Sequence, residues 1–410
     1  MKYFIGDDFA LSRPPEGPVG SYVIPFAQWL FDRGYGLVST RNQVLMAAGF
    51  SKWLRQKGIE LSDISGAHPG RYLLDRTQRP KLGDNAALQH LLAFLRSHSA
   101  IAEEIDADHD PRPVEQHVLA YEHYLQDARA LSRQTIINYR PVVREFLNFR
   151  FRDGGVSLSQ LRAVDVTNFV QKRISRLNMP RAKIITTALR SFLSYARYRG
   201  DITSDLAAAV PTVANWSLSS IPRAIGRDEV TRLLASIDRD MPVGCRDYAM
   251  ILALARLGLR SSEIVSLELD DIDWVTGKIR VRGKNGQRND LPLPADVGEA
   301  IADYLRKSRP RNANRRVFLR QKAPIHGFKG PSGLGSIIRR SLKRAAIDSP
   351  TKGTHQFRHG LASEMLRGGA SLGEIGEVLG HRHVQTTAIY AKVDLDALRT
   401  LALPWPGEAQ

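Results

Sequence analysis

The stretch between Thr354 and Val393 combines clustered cationic side chains with a tyrosine. In chain order, its candidate chemical groups are His355, Arg358, His359, His381 and Tyr390. A hydroxyl nucleophile among fixed cationic donors suits attack on a phosphodiester, because negative charge that develops on the phosphate oxygens must be met by donors. The phenol must also lose its proton before it can attack. The stretch therefore predicts phosphoryl-transfer chemistry with Tyr390 as the nucleophile.

An arginine box lies upstream of this stretch. The apolar segment from Asp247 to Leu257 reads as a helix closed by Gly258, and Arg260 stands where the next helix should begin. A guanidinium can fork onto two phosphate oxygens, which lysine cannot do. Glu263 is close enough in sequence to orient Arg260. Taken alone, one arginine is more often part of a surface ion pair, so this prediction depends on the other candidates.

A β-hairpin is predicted from Lys278 to Leu293, with strands at 278–281 and 290–293. The Asn285-Gly286 dipeptide between them is a strong hairpin signal. Lys284 sits at this turn, where a flexible ammonium group could donate a proton. The alternative is an ordinary solvated turn residue.

Local signals around the tyrosine predict the elements that position it. His355 and Arg358 are one helical turn apart, so both can point to one side. A capping box from Ser371 to Glu374 opens a short helix that ends at Gly380, which leaves His381 on a loop. A further helix over 386–391 should present Tyr390. The histidines have an alternative as zinc ligands, but no third ligand lies near them and the intervening arginine disfavours a cation.

These motifs together resemble the tyrosine site-specific recombinases, the phage integrase family. That family carries an arginine box, H-x-x-R, L-G-H and T-T-x-x-Y in this order, here at Gly258–Glu263, His355–Arg358, Leu379–His381 and Thr386–Tyr390. The chain departs from the common pattern at Gly360, where many members have Thr or Ser. It departs again at 382–385, a segment with more charge than is usual in the family.

The resemblance implies a site-specific recombinase that cleaves and rejoins DNA through a 3′-phosphotyrosine intermediate, without a metal or another cofactor. In this scheme Arg260 and Arg358 hold the phosphate oxygens, and His381 donates a further hydrogen bond. His355 takes the phenol proton of Tyr390, and Lys284 protonates the leaving 5′ oxygen. Glu263 and His359 would orient these catalytic groups without contacting the phosphate themselves. The reaction would serve integration, excision or transposition of a mobile element.

The resemblance also implies a mainly α fold with a small β-hairpin or sheet. It implies a SAM-like core-binding domain at 107–214 and an α+β catalytic domain at 215–410. The residue pattern before them predicts an N-terminal helical DNA-binding or docking domain at 1–106, which makes the chain larger than the minimal members of the family. Expected partners are double-stranded DNA and further copies of the chain, as a dimer on one site and a tetramer in synapsis. Sister recombinases are an additional expected partner, and a C-terminal tail at 394–410 would be passed to the next protomer.

Two alternatives stay open at this point. One is an enzyme related to type IB topoisomerases, which nicks and reseals DNA without exchanging partners. The other is a DNA-binding or architectural subunit that does not cut DNA. The intact set of catalytic candidates argues against the second alternative.

Composition is compatible with a DNA-binding protein. The chain has 410 residues, 43% of them hydrophobic, and a net charge of +17, which favours a polyanionic partner. The lone Cys245 excludes an intrachain disulfide framework. No run of apolar residues is long enough for a membrane span, and no signal peptide is recognised. The sequence therefore predicts a bacterial cytoplasmic, DNA-associated protein without a membrane partner.

The N-terminal half shows signs of duplication. Residues 1–20 are rich in Pro and Gly and predict an irregular lead-in. After them, apolar positions in 21–100 recur with the same spacing in 113–205, which predicts two copies of one helical unit. The alternative is chance agreement between amphipathic segments. Basic residues on two predicted helices and on the hairpin are candidates for contacts with DNA: Arg181, Lys183, Arg190, Arg197, Arg282, Arg339, Arg340 and Lys343.

Overall fold

The computed structural model of the chain describes most of its residues. Described are residues 3–5, 9–11, 15–76, 81, 83–102, 113–151, 155–175, 177–213, 222–283, 288–349, 351–381 and 383–393. Residues 1–103 and 218–410 belong to one compact unit, and residues 104–217 form another. None of the helices in the described ranges has the length and apolar character needed to cross a membrane.

The first helical segment contains four helices around its own core. They are α1 (Val23–Asp32), α2 (Leu37–Gln56), α3 (His68–Asp75) and α4 (Asp84–Ser97). Before them, strands β1 (Tyr3–Ile5) and β2 (Phe9–Leu11) pair antiparallel, so the prediction of an irregular lead-in is wrong there. Aromatic and branched residues in both strands favour extended backbone, which the Pro and Gly content of the neighbouring residues obscured.

The second helical segment repeats this order. It contains α5 (Pro113–His123), α6 (Arg133–Arg150), α7 (Ala163–Ile174) and α8 (Met179–Tyr198). A short 3-10 turn separates the second and third helices in both segments, at Leu61–Asp63 and at Leu158–Gln160.

Aligned core positions agree between the two segments. Phe50, Trp53 and Leu54 on α2 are buried, as are Val143, Phe146 and Leu147 on α6. Leu91, Phe94 and Leu95 on α4 are buried, as are Leu189, Phe192 and Leu193 on α8. Shared order and burial are what a duplicated unit would show, and the duplication itself stays a prediction.

The C-terminal segment is mostly helical with a small sheet. Its helices are α9 (Arg227–Ala235), α10 (Pro242–Leu257), α11 (Ser261–Ser266), α12 (Ala295–Asp303), α13 (Ser332–Arg344), α14 (His355–Arg367), α15 (Leu372–Val378) and α16 (Val384–Thr387). Strands β3 (Ile272–Asp273), β4 (Lys278–Arg282) and β5 (Arg288–Pro292) form an antiparallel sheet in that order. The mainly α fold and the hairpin predicted from the sequence are confirmed.

The core of this segment is built around α10. Its buried face includes Ala249, Met250, Ile251 and Leu254, which pack with Ile279 of the sheet and with residues of α12 and α13. The helix ends at Gly258, whose backbone is left-handed with φ of +59°, as a glycine after a helix allows. This end places Arg260 at the start of α11.

The first helical segment touches the C-terminal segment at the α1–α2 turn. The backbone N–H of Ile325 donates to the Arg33 carbonyl at 2.8 Å. Gly34 has φ of +78°, and a Cβ on it would overlap Cδ1 of Ile325. A side chain at this position would therefore collide with Ile325 as well as strain the backbone.

Candidate active site

A cleft of about 730 Å³ collects several of the predicted catalytic groups. It lies between the hairpin, α11 and the loop after α15. The polar residues that line it include Arg260, Ser262, Arg282, Asn289, Arg358, His381 and Thr386. The structure thus brings together side chains that are far apart in the sequence.

Arg260 is fixed at the start of α11 by a buried carboxylate. Its Nη1 donates to Oε1 of Glu263 at 2.7 Å, and its backbone N–H donates to Oε2 of the same residue at 2.8 Å. Glu263 is buried, whereas the Arg260 side chain retains 33% of its exposure. Glu263 therefore caps the helix and orients the guanidinium with one carboxylate.

Arg358 is the buried cation of the cleft. Its Nη1 donates to the Gly258 carbonyl at 2.7 Å, and its Nη2 donates to the Leu379 carbonyl. Burial, followed by repulsion from Arg260, lowers the pKa of Arg358 to about 10. The group therefore remains charged at neutral pH and ties the end of α10 to the loop after α15.

His381 lies on that loop, as the capping signals predict. Ser371 caps α15 by accepting from the N–H of Glu374, and Gly380 is left-handed with φ of +59°. Nδ1 of His381 is 2.8 Å from Oγ1 of Thr387, which is buried. Burial first, and Arg358 and Arg260 next, lower the pKa of His381 to about 4. A neutral His381 can thus donate from Nε2 while Thr387 donates its hydroxyl to Nδ1.

Tyr390 lies beside the cleft but is not among its lining residues. The expected helix over 386–391 is split, because α16 ends at Thr387 and a 3-10 turn spans Ala388–Val393. Tyr390 is 1% exposed and packs in a small apolar cluster with Ala362, Ile375 and Leu379. Burial raises the pKa of its hydroxyl above the ordinary value, and Arg358 partly opposes this effect.

The two histidines of α14 differ in their relation to Tyr390. Nδ1 of His359 is 3.0 Å from the Tyr390 hydroxyl. His355, the first residue of α14, is exposed and lies with its ring centroid 6.3 Å from that of His359. The resemblance predicts only a supporting role for His359. The spacing of four residues between the two histidines is the one sequence signal that they share a face of α14.

The remaining candidates have varied surroundings. Lys284 lies outside the described residues, between β4 and β5. Arg282 donates to Glu268 at 2.6 Å and to Asp271 at 3.2 Å, and Arg190 donates to the Val210 carbonyl at 2.9 Å. Arg197 pairs with Asp205 at 3.0 Å. The other predicted DNA contacts are exposed: Arg181, Lys183, Arg339, Arg340 and Lys343.

Two features of the site carried no role in the sequence interpretation. Thr387 is the second threonine of the T-T-x-x-Y motif. It is buried, and its hydroxyl holds the ring of His381 through the contact with Nδ1. Gly360 has a close-packing role, because a Cβ there would lie 2.9 Å from the Ile225 carbonyl. A threonine or serine at this position would require the segment before α9 to move.

A metal site is not indicated by the side chains. Within the described part of the chain, no group of three or more His, Cys, Asp or Glu residues is placed to hold an ion. The charged side chains that line the cleft are mainly cationic, namely Arg260, Arg282 and Arg358 beside the carboxylate of Glu263.

Two protein-family models and a full-length relative match the chain. Residues 223–396 match the model of the phage integrase family, and residues 118–200 match the model of the phage integrase N-terminal SAM-like domain. The protein y4rA of Sinorhizobium fredii (strain NBRC 101917 / NGR234), named as an integrase/recombinase, is 85% identical over 410 residues, which is 100% of both chains.

Solved structures show the same fold. The XerH site-specific recombinase bound to a palindromic difH substrate, in a post-cleavage complex, is 18% identical with a TM-score of 0.56 over 99% of each chain. A lambda integrase dimer bound to a COC′ core site is 18% identical with a TM-score of 0.52, over 67% of this chain and 94% of that one. Because the family models match the segments that hold the cleft and the second helical segment, and y4rA matches end to end, the chain belongs to the phage integrase family of tyrosine recombinases.

Proposed function

We propose that the protein is a site-specific recombinase of a mobile element, and that Tyr390 attacks the scissile phosphate to form a 3′-phosphotyrosine. The observation that carries the proposal is the cleft in which Arg260, Arg358 and His381 converge next to Tyr390. Two guanidinium groups and a neutral imidazole can donate to the non-bridging oxygens of one phosphate. The bond energy stays in the phosphotyrosine, so the 5′ hydroxyl of a partner strand can reverse the step.

The deciding experiment is covalent capture. A nicked suicide duplex is first selected from a randomised pool by its binding to the full-length protein, and peptide mapping then locates the residue to which the DNA becomes covalently attached. We expect the DNA on Tyr390. A chain that binds this duplex specifically without forming any adduct would be an architectural subunit instead. Relaxation of plasmids that lack the selected site would favour the topoisomerase-like alternative.

Assembly is part of the proposal. Copies of the chain would act as a dimer on one site and as a tetramer in synapsis, together with any sister recombinases that the element encodes. The lambda integrase dimer on its core site supports the first step by family analogy. The tail at 394–410, which the sequence suggests for protomer exchange, lies outside the described residues.

Lys284 is proposed as the acid for the leaving 5′ oxygen. Lys284→Ala should slow cleavage of a normal phosphodiester, since the alkoxide would leave without its proton donor. A 5′-bridging phosphorothiolate needs no proton, so it should restore much of the cleavage rate. The comparison requires single-turnover rates on both suicide duplexes. Equal defects on the two substrates would show that Lys284 only positions the DNA.

The first helical segment is proposed as a second DNA clamp. Arg41 and Lys52 lie on one face of α2 and Arg71 lies on α3, and all are exposed. Among the described residues these three cations have no ion-pair partner, whereas Arg55 pairs with Glu16 and Lys57 with Asp75. Exposed cations without an acidic partner suit phosphates, because each cation that neutralises a phosphate releases counterions from DNA.

Replacing Arg41, Lys52 and Arg71 with Gln should flatten the salt dependence of DNA binding. The slope should change by about 0.9 for each phosphate that the protein no longer neutralises. The matched control replaces the paired Arg55 and Lys57 with Gln and should change the slope less. Salt titrations of binding and footprints of both variants provide the measurement. An unchanged slope and footprint in the triple variant would favour a docking module for another recombinase.

A further inference from the structure

The hydroxyl of Tyr390 has a partner that the family resemblance did not suggest. It lies 3.0 Å from Nδ1 of His359, within hydrogen-bond distance. The ring centroids are 5.7 Å apart at 61°, an edge-on arrangement that directs the hydroxyl to the imidazole edge. No comparable contact joins His355 to Tyr390 among the described residues.

The surroundings of Tyr390 make a proton acceptor necessary. The ring is enclosed by Ala362, Ile375 and Leu379, and this burial raises the pKa of the hydroxyl above 10.0. At neutral pH the phenol is therefore protonated, and it gains nucleophilicity only when a base removes the proton during attack.

His359 is suited to be that base. Burial, followed by His355 and Arg358, holds its pKa below the ordinary value of 6.5. The ring is therefore neutral at pH 7, and Nδ1 can accept from the phenol while Nε2 carries the hydrogen. The charged or titratable groups around it are His355 and Arg358 on α14, Tyr390 on the 3-10 turn and His381 on the loop after α15.

We propose that His359, rather than His355, accepts the phenol proton of Tyr390 during cleavage; the proposal rests on the proposed recombinase function. As the phenol oxygen bonds to phosphorus, the O–H bond breaks and the proton moves to Nδ1 of His359. The bond from phosphorus to the 5′ oxygen breaks in the same displacement, and that oxygen takes a proton from the acid, proposed as Lys284. Resealing returns the proton from His359 to the tyrosine oxygen.

The neighbouring cations destabilise a protonated His359, so the histidine would hold the proton only briefly. An imidazolium at position 359 would face Arg358 on the same helix, a repulsion that lowers its stability. The proton is therefore returned readily when the 5′ hydroxyl attacks the phosphotyrosine. Reversibility is what strand exchange needs, because each strand must be cut and rejoined.

The test compares His359→Asn, His359→Ala and the matched His355→Asn in the full-length protein. Asparagine places an amide near the position of Nδ1 and retains a hydrogen bond without taking up a proton. Single-turnover cleavage of the selected suicide duplex is measured from pH 5 to pH 9, with the DNA affinity and thermal unfolding of each variant. We expect both His359 variants to slow cleavage by roughly 100-fold or more at pH 7, with DNA affinity retained.

The pH profiles separate base catalysis from support of the fold. In the wild type, cleavage should fall as pH drops through the lowered pKa of His359 and should be level above it. In His359→Asn, the rate should instead rise with pH through pH 9, because only the small phenolate fraction reacts. His355→Asn should keep the acid limb of the wild-type profile, because His359 still takes the proton; the test compares the shape of the profile and not the absolute rate of this variant.

Two outcomes would overturn the inference. One is a wild-type rate and profile in His359→Asn. The other is loss of the acid limb in His355→Asn but not in His359→Asn, which would return the role to His355. Both outcomes leave the recombinase function standing, since that function fails only if Tyr390 forms no adduct in the wild-type protein.

Discussion

Tyr390→Phe should abolish the covalent protein–DNA adduct and leave DNA affinity unchanged. Phenylalanine keeps the ring that packs against Ala362, Ile375 and Leu379 and removes only the attacking oxygen. The loss should extend to the detection limit, because the neighbouring hydroxyl of Thr387 is bonded to His381. Denaturing gels of the captured suicide duplex measure the adduct, and a mobility shift measures the affinity.

The control for this change is Tyr198→Phe. Tyr198 is 81% exposed at the end of α8, so the same loss of one oxygen should leave adduct formation intact. A normal adduct yield from Tyr390→Phe would move the nucleophile to another residue. Loss of the adduct in both variants would point to a defect in the preparation of the duplex or the protein.

The sequence predicted the scaffold of the site because its signals are local. Gly258 ends α10, Glu263 binds the side chain of Arg260 and Ser371 caps α15, and each effect arises within one helical turn of the residue that causes it. The hairpin of β4 and β5 follows in the same way from the Asn-Gly pair that the sequence places between two alternating segments. Such features depend little on distant parts of the chain.

Interactions made across the fold could not be predicted in this way. The carbonyls that hold Arg358 belong to Gly258 and Leu379, on either side of the arginine in the sequence and far from it. Whether His355 or His359 meets Tyr390 depends on how the turn after α16 folds back onto α14. Residue types predict that a histidine is near the tyrosine, but packing selects which one.

The charge pattern of the sequence predicts which helix faces are exposed better than it predicts what each basic side chain binds. Arg190 and Arg282 lie on basic elements, yet their guanidinium groups are engaged by Val210, Glu268 and Asp271. Their predicted contacts with DNA would require these bonds to be exchanged for phosphates. Arg339 and Arg340 on α13 are exposed and form no ion pair with another described residue. They stay the simpler candidates, because no ion pair has to break before they bind a phosphate.

Arg358→Lys should reduce cleavage by roughly 100- to 1,000-fold, the range found when one donor to a developing oxyanion is removed. The guanidinium of Arg358 bonds the carbonyls of Gly258 and Leu379 and still has N–H groups available for the cleft. A lysine ammonium has three donors at one point, so it cannot hold two carbonyls on different elements and also meet a phosphate.

The decrease in rate must be separated from a decrease in stability. Arg358 is 5% exposed, and an unpaired carbonyl left behind by lysine costs about 1–3 kcal/mol. Thermal unfolding should therefore shift downward, and cleavage must be measured below the new transition. Arg256→Lys is the matched control, because Arg256 is an exposed partner of Asp296 at 2.7 Å and should tolerate the change. If Arg358→Lys unfolds at a lower temperature but cleaves at the wild-type rate, then Arg358 only ties α10 to the loop after α15. The phosphate would in that case be held by Arg260 and His381.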